Sequence, residues 1–234
     1  MKYRHELKYL INEGDAAIIA QRLRGVMKMD AHAGKEGYHI RSLYFDDYWD
    51  SAYEDKMGGF SRREKCRIRI YDHNDSIIRL EFKMKQGAYI AKRSAKLTPR
   101  ELEDIWDGRC EQLLRRDDPV CRHFYEQYVS RVMRPKVYVD YEREPYVLPE
   151  GDVRITFDRN VRAAYPGFPM FHDGLVFHNA LEPGKLIMEV KYTEFLPQII
   201  RQLLPPRAGE LTAASKYTLC REQIAYLSGG GIRW

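Results

Sequence analysis

The sequence lacks the marks of several large protein classes. No apolar run approaches the roughly 18 residues of a membrane-spanning helix, and the N-terminal "MKYRHELKYL" has no long apolar signal core. A cytoplasmic location is therefore expected. Cysteine is scarce: Cys66, Cys110, Cys121 and Cys220 are scattered and form no CxxC pair. That argues for reduced structural thiols and against a zinc site. The histidines show no metal-ligand spacing. The "GGG" at 229–231 has no strand before it, so it reads as part of a loose tail from about residue 228 rather than a phosphate loop. No low-complexity linker and no break in composition divides the chain, so a single domain over residues 1–234 is expected.

What is present points to a globular fold rich in strands. Hydrophobic residues make up 44% and charged residues 31%, which suits a chain with a packed core. The formal net charge of +5 hints at an anionic partner without naming it. Seventeen tyrosines and nine phenylalanines favour β-structure. Strand patterns fall at 3–11, in "YHIRSLYFDD", over Lys65–Tyr71 and Ile77–Lys85, and in "YIAKRSAKL", "RPKVYVDYERE", "GDVRITFDRNVRA" and "KLIMEVKY". Helices are expected after Asp15, with Ile18, Ile19, Leu23 and Met27 as the apolar stripe, and from Thr98, where Pro99 and Glu101 complete a capping box. Further helices are expected at about 119–131, in "LPQIIRQLL" and in "SKYTLCREQIAYL".

Residues two apart on a strand share a face, and three apolar strands carry Glu-x-Lys on the face that is not apolar: Glu6 and Lys8, Glu81 and Lys83, Glu189 and Lys191. Lys65, Arg67, Arg69 and Tyr71 share another such face, as do Tyr141 and Arg143, and Arg154 and Asp158. A half-wet antiparallel sheet is the plain explanation. The bias toward Arg and Lys weakens it. Arg67 and Arg69 stand about 7 Å apart by strand rise, and at an effective dielectric near 20 their repulsion is about 2 kcal/mol. A bound polyanion would offset that repulsion. Nucleic-acid surfaces interleave cations with stacking aromatics, whereas here the aromatics fall mostly on the apolar faces. Phosphate chains therefore fit better than nucleic acid. The few carboxylates among the cations suit magnesium or manganese, which take one or two carboxylates plus phosphate oxygens.

The phrases "RHELKYLI", "RSLYFDD", "RIRIY", "LEFKMK", "VDYER", "VRITFD", "LIMEVKY" and "SKY", in order from residue 4 to residue 217, resemble the VTC domain. That is the polyphosphate-polymerase domain of the vacuolar transporter chaperone complex, a branch of the triphosphate tunnel metalloenzymes. The resemblance implies an α+β fold, an eight-stranded antiparallel β-tunnel with helices outside. It implies an ATP-using, metal-dependent transferase that extends inorganic polyphosphate. Phosphate-binding roles fall on Lys8, Arg67, Arg69, Lys83, Lys92, Tyr141, Arg143, Arg154, Lys191, Ser215 and Lys216. Arg67, Arg69, Lys83, Arg143 and Lys191 are the catalytic group among them. The metal carboxylate is Glu189, with Glu6 and Glu81 ranked behind it. The chain departs from the eukaryotic pattern at Ala213 and Ala214, where a basic residue precedes Ser-Lys in the family. No span for a membrane is expected in this chain, and a membrane partner stays open. A triphosphatase that uses water as acceptor and a non-catalytic polyphosphate-binding module stand as rival functions.

Overall fold

The computed structural model describes residues 4–34, 36–87, 89–204, 210–211 and 215–229. Ala213, Ala214 and the end of the expected tail, residues 230–234, lie outside them. In chain order the elements are β1 (Arg4–Asn12), α1 (Glu13–Leu23), β2 (Lys28–Met29), β3 (Tyr38–Asp46), α2 (Ser51–Met57), β4 (Arg62–Tyr71), β5 (Asn74–Gln86) and β6 (Tyr89–Leu97). There follow α3 (Pro99–Trp106), a 3-10 turn (Cys110–Arg115), α4 (Pro119–Ser130), β7 (Arg134–Leu148), a second 3-10 turn (Glu150–Asp152), β8 (Val153–Ala164) and β9 (His178–Asn179). The chain continues through β10 (Lys185–Thr193), α5 (Gln198–Leu203), β11 (Glu210–Leu211) and α6 (Lys216–Leu227). The α+β class holds, with eight long strands among the eleven in the described residues. No helix among the described residues is long and apolar enough to cross a membrane.

Backbone contacts divide the chain into two compact units. The first comprises Met1–His39, Tyr141–Val161 and Asn179–Ser215. Its strands run β11-β1-β10-β8-β7, with β2 also on β7. One face of this sheet buries Ile11, Ile155, Phe157, Met188 and Val190 together with Ile19 and Leu23 of α1 and Ile200 of α5. Helix α1 begins one turn earlier than expected. Its cap is Asn12, whose Oδ1 accepts from the Asp15 amide at 2.8 Å, while Asp15 returns a carboxylate to the Asn12 amide group at 2.9 Å. Ile18, placed on the apolar stripe from sequence, is 51% exposed; Ala16 and Ala20 take the buried positions with Ile19 and Leu23.

The second unit comprises Ile40–Asp140, Arg162–His178 and Lys216–Trp234. Its strand order is β7-β3-β4-β5-β6. Leu43, Phe45, Cys66, Ile68, Leu80, Phe82 and Ala95 pack on α3, α4 and the first 3-10 turn through Leu102, Ile105, Leu113 and Phe124. Thr98, Pro99 and Glu101 form the expected capping box, and Cys66 is buried in this core. The β4–β5 hairpin turns at Asp72 and His73, both at positive φ, so Tyr71 pairs with Asn74. Strand β4 starts at Arg62, three residues before the strand pattern expected from Lys65. Helix α2 was not expected. Its free amides are met by carboxylates from the preceding strand end: Asp46 accepts from Ala52 and Tyr53, and Asp47 from Ser51.

Candidate functional site

In both units the face opposite the apolar core carries the charge. On the first unit, β1 and β10 pair so that Glu6 lies opposite Lys191 and Lys8 opposite Glu189. Two Glu-x-Lys segments running antiparallel thus form a checkerboard in which each carboxylate has a lysine across the strand and another two residues along. Lys8 Nζ lies 3.3 Å from Glu6 and 3.7 Å from Glu189. Lys191 Nζ donates to Glu189 at 2.9 Å. On the other side of β10, β8 sets Arg154 opposite Lys191 and Thr156 opposite Glu189. From β7, Arg143 donates two bonds to Asp158, at 2.6 and 2.7 Å, and reaches Glu189 at 3.6 Å. Its guanidinium stands over the Tyr141 ring at 5.2 Å.

These contacts set protonation. Burial alone would lower the Arg143 pKa, but Asp158, Tyr141 and Glu189 hold it well above its ordinary value. Burial lowers the Lys191 pKa, and Glu189 and Glu6 only partly restore it. Arg154 donates to Tyr38 Oη and pairs with Asp30, both at 2.8 Å. Its Nε is buried without a hydrogen-bond partner among the described residues.

The second unit is different in balance. Register across β4, β5 and β6 produces rows: Lys65, Lys83 and Lys92; Arg67, Glu81 and Ser94; Arg69, Arg79 and Lys96. Nine Lys and Arg side chains occupy paired positions on this face of the three strands (Arg63 and Lys85 complete the set), and Glu81 is the one carboxylate among those positions. Arg67 donates Nε to Glu81 at 2.8 Å, and Lys92 pairs with the other oxygen. Burial would raise the Glu81 pKa, but Arg67, Arg69 and Lys92 bring it down to about 2. Arg67 also donates to Tyr44 Oη at 2.8 Å, and Arg69 to Ser42 Oγ at 3.2 Å. Lys216 opens α6 and is buried; its charge, with those of Arg67 and Arg69, outweighs burial and lowers the Tyr44 pKa. Tyr217, next in the helix, stacks on Tyr44 at 5.0 Å, carries Lys65 over its ring at 4.8 Å and donates to Asp46 at 2.6 Å.

Thus the first unit brings together Glu6, Lys8, Tyr141, Arg143, Glu189 and Lys191, with Arg154 adjacent in register. The second gathers Arg67, Arg69, Glu81, Lys83 and Lys92. Ser215 is half-buried just before α6. Sequence reasoning assigned no role to Tyr44, Tyr217, Thr156 or Asp158. Tyr44 and Thr156 lie at alternate positions on strands already suspected, so alternation alone could have raised them. Tyr217 stands next to the expected Ser-Lys pair, but only the fold brings it to Tyr44 and Lys65.

Charged faces on antiparallel sheets, rich in Arg and Lys and backed by apolar cores, define this α+β protein. The VTC domain model matches residues 3–225, and the chain belongs to that family. None of the curated proteins matches. Among solved structures, the chain is similar to the PH1819 protein of Pyrococcus horikoshii OT3, with 17% identity and a TM-score of 0.49 over 94% of this chain and 99% of that one. It is also similar to the PH1012 protein of the same organism, with 13% identity and a TM-score of 0.46 over 91% and 96%.

Proposed function

We propose that the protein is a metal-dependent phosphotransferase that moves the γ-phosphate of ATP onto a growing inorganic polyphosphate chain. The observation that carries this reading is the row Lys65–Lys83–Lys92. Like charges directly opposite one another destabilise a sheet, so three ammonium groups in line on adjacent strands make sense as the seat of a repeating polyanion. Spacing along strands and across strands gives a lattice of cations for which consecutive phosphates, not bases, are the natural complement.

The chemistry asks little of protein covalently. A terminal phosphate oxygen of the chain, largely ionised near neutral pH, attacks the γ-phosphorus. The bond from that phosphorus to the β-bridging oxygen breaks, ADP leaves, and the chain is one unit longer. The acceptor brings its own charge, so no general base is required, and catalysis is positioning plus charge neutralisation. On the second unit, Arg67 and Arg69 offer planar forks to phosphate oxygens, while Lys83, Lys92 and Lys216 act as point charges. On the first, Arg143 and Lys191, with Lys8, Tyr141, Arg154 and Ser215, offer their own set of phosphate donors. The orphaned Nε of Arg154 is a donor awaiting such an acceptor.

Glu189 fits a magnesium or manganese ion: it is a hard oxygen donor, 5% exposed, beside cations that would hold the phosphate oxygens completing the coordination. Bound there, the divalent ion would neutralise charge on the phosphoryl oxygens. Glu6 is a second carboxylate on the same face, whereas Glu81 in this reading chiefly anchors Arg67 and Lys92. The decisive experiment is product analysis after incubating the purified protein with ATP and manganese. Phosphate chains that lengthen with time are expected. Orthophosphate and ADP alone would make it a triphosphatase, and tight chain binding without turnover by any divalent ion would make it a binding module.

A further inference from the structure

Thr156 has a hydroxyl that the described structure leaves without a role. The residue is 1% exposed, and its Oγ1 is buried with no hydrogen-bond partner among the described residues. Leaving a buried hydroxyl unpaired is costly, and strand pairing sets it directly opposite Glu189, on the same face. No other strand position in this unit puts a neutral hydroxyl across from that carboxylate: on the opposite side Glu189 faces Lys8.

We propose that Thr156 Oγ1 is a metal ligand that, with Glu189, holds the divalent ion; the inference rests on the metal role given to Glu189 above. The choice between donor and acceptor follows from what the surroundings already supply. Lys8, Arg143 and Lys191 all approach Glu189, so N–H donors for phosphate are abundant. Oxygen donors for a hard cation are what the carboxylate needs beside it, and a threonine hydroxyl is a neutral one that adds no charge to be offset. Its lone pairs are what such an ion would use. The stiff, β-branched side chain fixes the oxygen with little entropy to lose.

The test compares Thr156→Val, which keeps the shape and removes the oxygen, with Thr156→Ser, which keeps the oxygen. Manganese affinity is measured by electron paramagnetic resonance titration in the presence of inorganic tripolyphosphate, and tripolyphosphate binding by calorimetry in chelator without metal. In T156V manganese should bind at least about tenfold more weakly, the loss typical even when groups that merely support a metal ligand are removed. T156S should stay within a few-fold of wild type, and metal-free tripolyphosphate binding should be unchanged in both. Thermal unfolding of T156V without ligand should show no loss of stability, since a methyl replaces an unpaired hydroxyl. Unchanged manganese affinity in T156V overturns the proposal and leaves Glu189 untouched. Equal weakening of metal-free tripolyphosphate also overturns it, making the hydroxyl a phosphate donor. If the wild-type protein binds no manganese with tripolyphosphate, the role given to Glu189 falls as well.

Discussion

Glu81 and Glu189 occupy the same place in two Glu-x-Lys motifs, yet their neighbours give them different work. Glu81 meets Arg67 and Lys92, and its carboxyl is held at about 2 against an ordinary 4.5. Because the folded value lies below the unfolded one, folding favours the ionised form. The stabilisation is fully present above about pH 4.5 and is lost as pH falls through about 2. A depression of this size corresponds to on the order of 3 kcal/mol. Glu81→Gln should therefore lower stability at pH 7 and flatten the pH dependence of the urea midpoint below 4.5. A glutamine variant with the wild-type slope would show that this carboxylate is not what titrates. Glu189 is surrounded by Lys8, Arg143 and Lys191 and has the Thr156 hydroxyl opposite. Glu189→Ala should abolish metal-dependent turnover while tripolyphosphate binding in chelator stays within a few-fold. Wild-type turnover in that variant would remove Glu189 from the metal role.

At the scale of the element, alternation was readable and register was not. Each strand of the charged faces follows a period of two, so the sequence already separated Arg67 and Arg69 from Ile68 and Ile70. Which residue stands across from which depends on the Asp72–His73 turn and on the bulge between Arg69 and Tyr71. The lysine row emerges only from that pairing, and the Glu-Lys checkerboard only from the register of β1 on β10. Helix α2 was hidden for a related reason. Its amides are capped by Asp46 and Asp47 at the end of β3, and the acidic run there reads locally as a turn. The row carries its own prediction. Lys83 is flanked by Lys65 and Lys92, so Lys83→Met should weaken tripolyphosphate binding several-fold in calorimetry. Unchanged affinity would take the lysine row out of phosphate binding.

Across the whole chain, a net charge of +5 conceals an uneven distribution. On the first unit's face Lys8, Arg143, Arg154 and Lys191 are matched by Glu6, Asp158, Asp30 and Glu189. On β4–β6 nine cations face one carboxylate. The family resemblance was legible because its motifs span almost the entire chain, but composition could not reveal this division, since ion pairing is a matter of tertiary placement. If the β4–β6 lattice is a polyphosphate seat, ligand binding should stabilise the native state by mass action, by about 2.7 kcal/mol at a hundredfold excess over Kd. The gain should shrink steeply with salt, as expected when exposed cations neutralise an anion and release its counterions. Nucleic acid offers one charge per nucleotide at wider spacing and wants aromatic platforms for its bases. Tyr44 and Tyr141, two aromatic rings on these charged faces, are both buried beside arginines. Long-chain polyphosphate should thus raise the melting temperature at low salt, and an oligodeoxythymidylate of equal charge should raise it far less. Equal shifts from the two polymers would show that the face reads charge alone and not the close spacing of a phosphate chain.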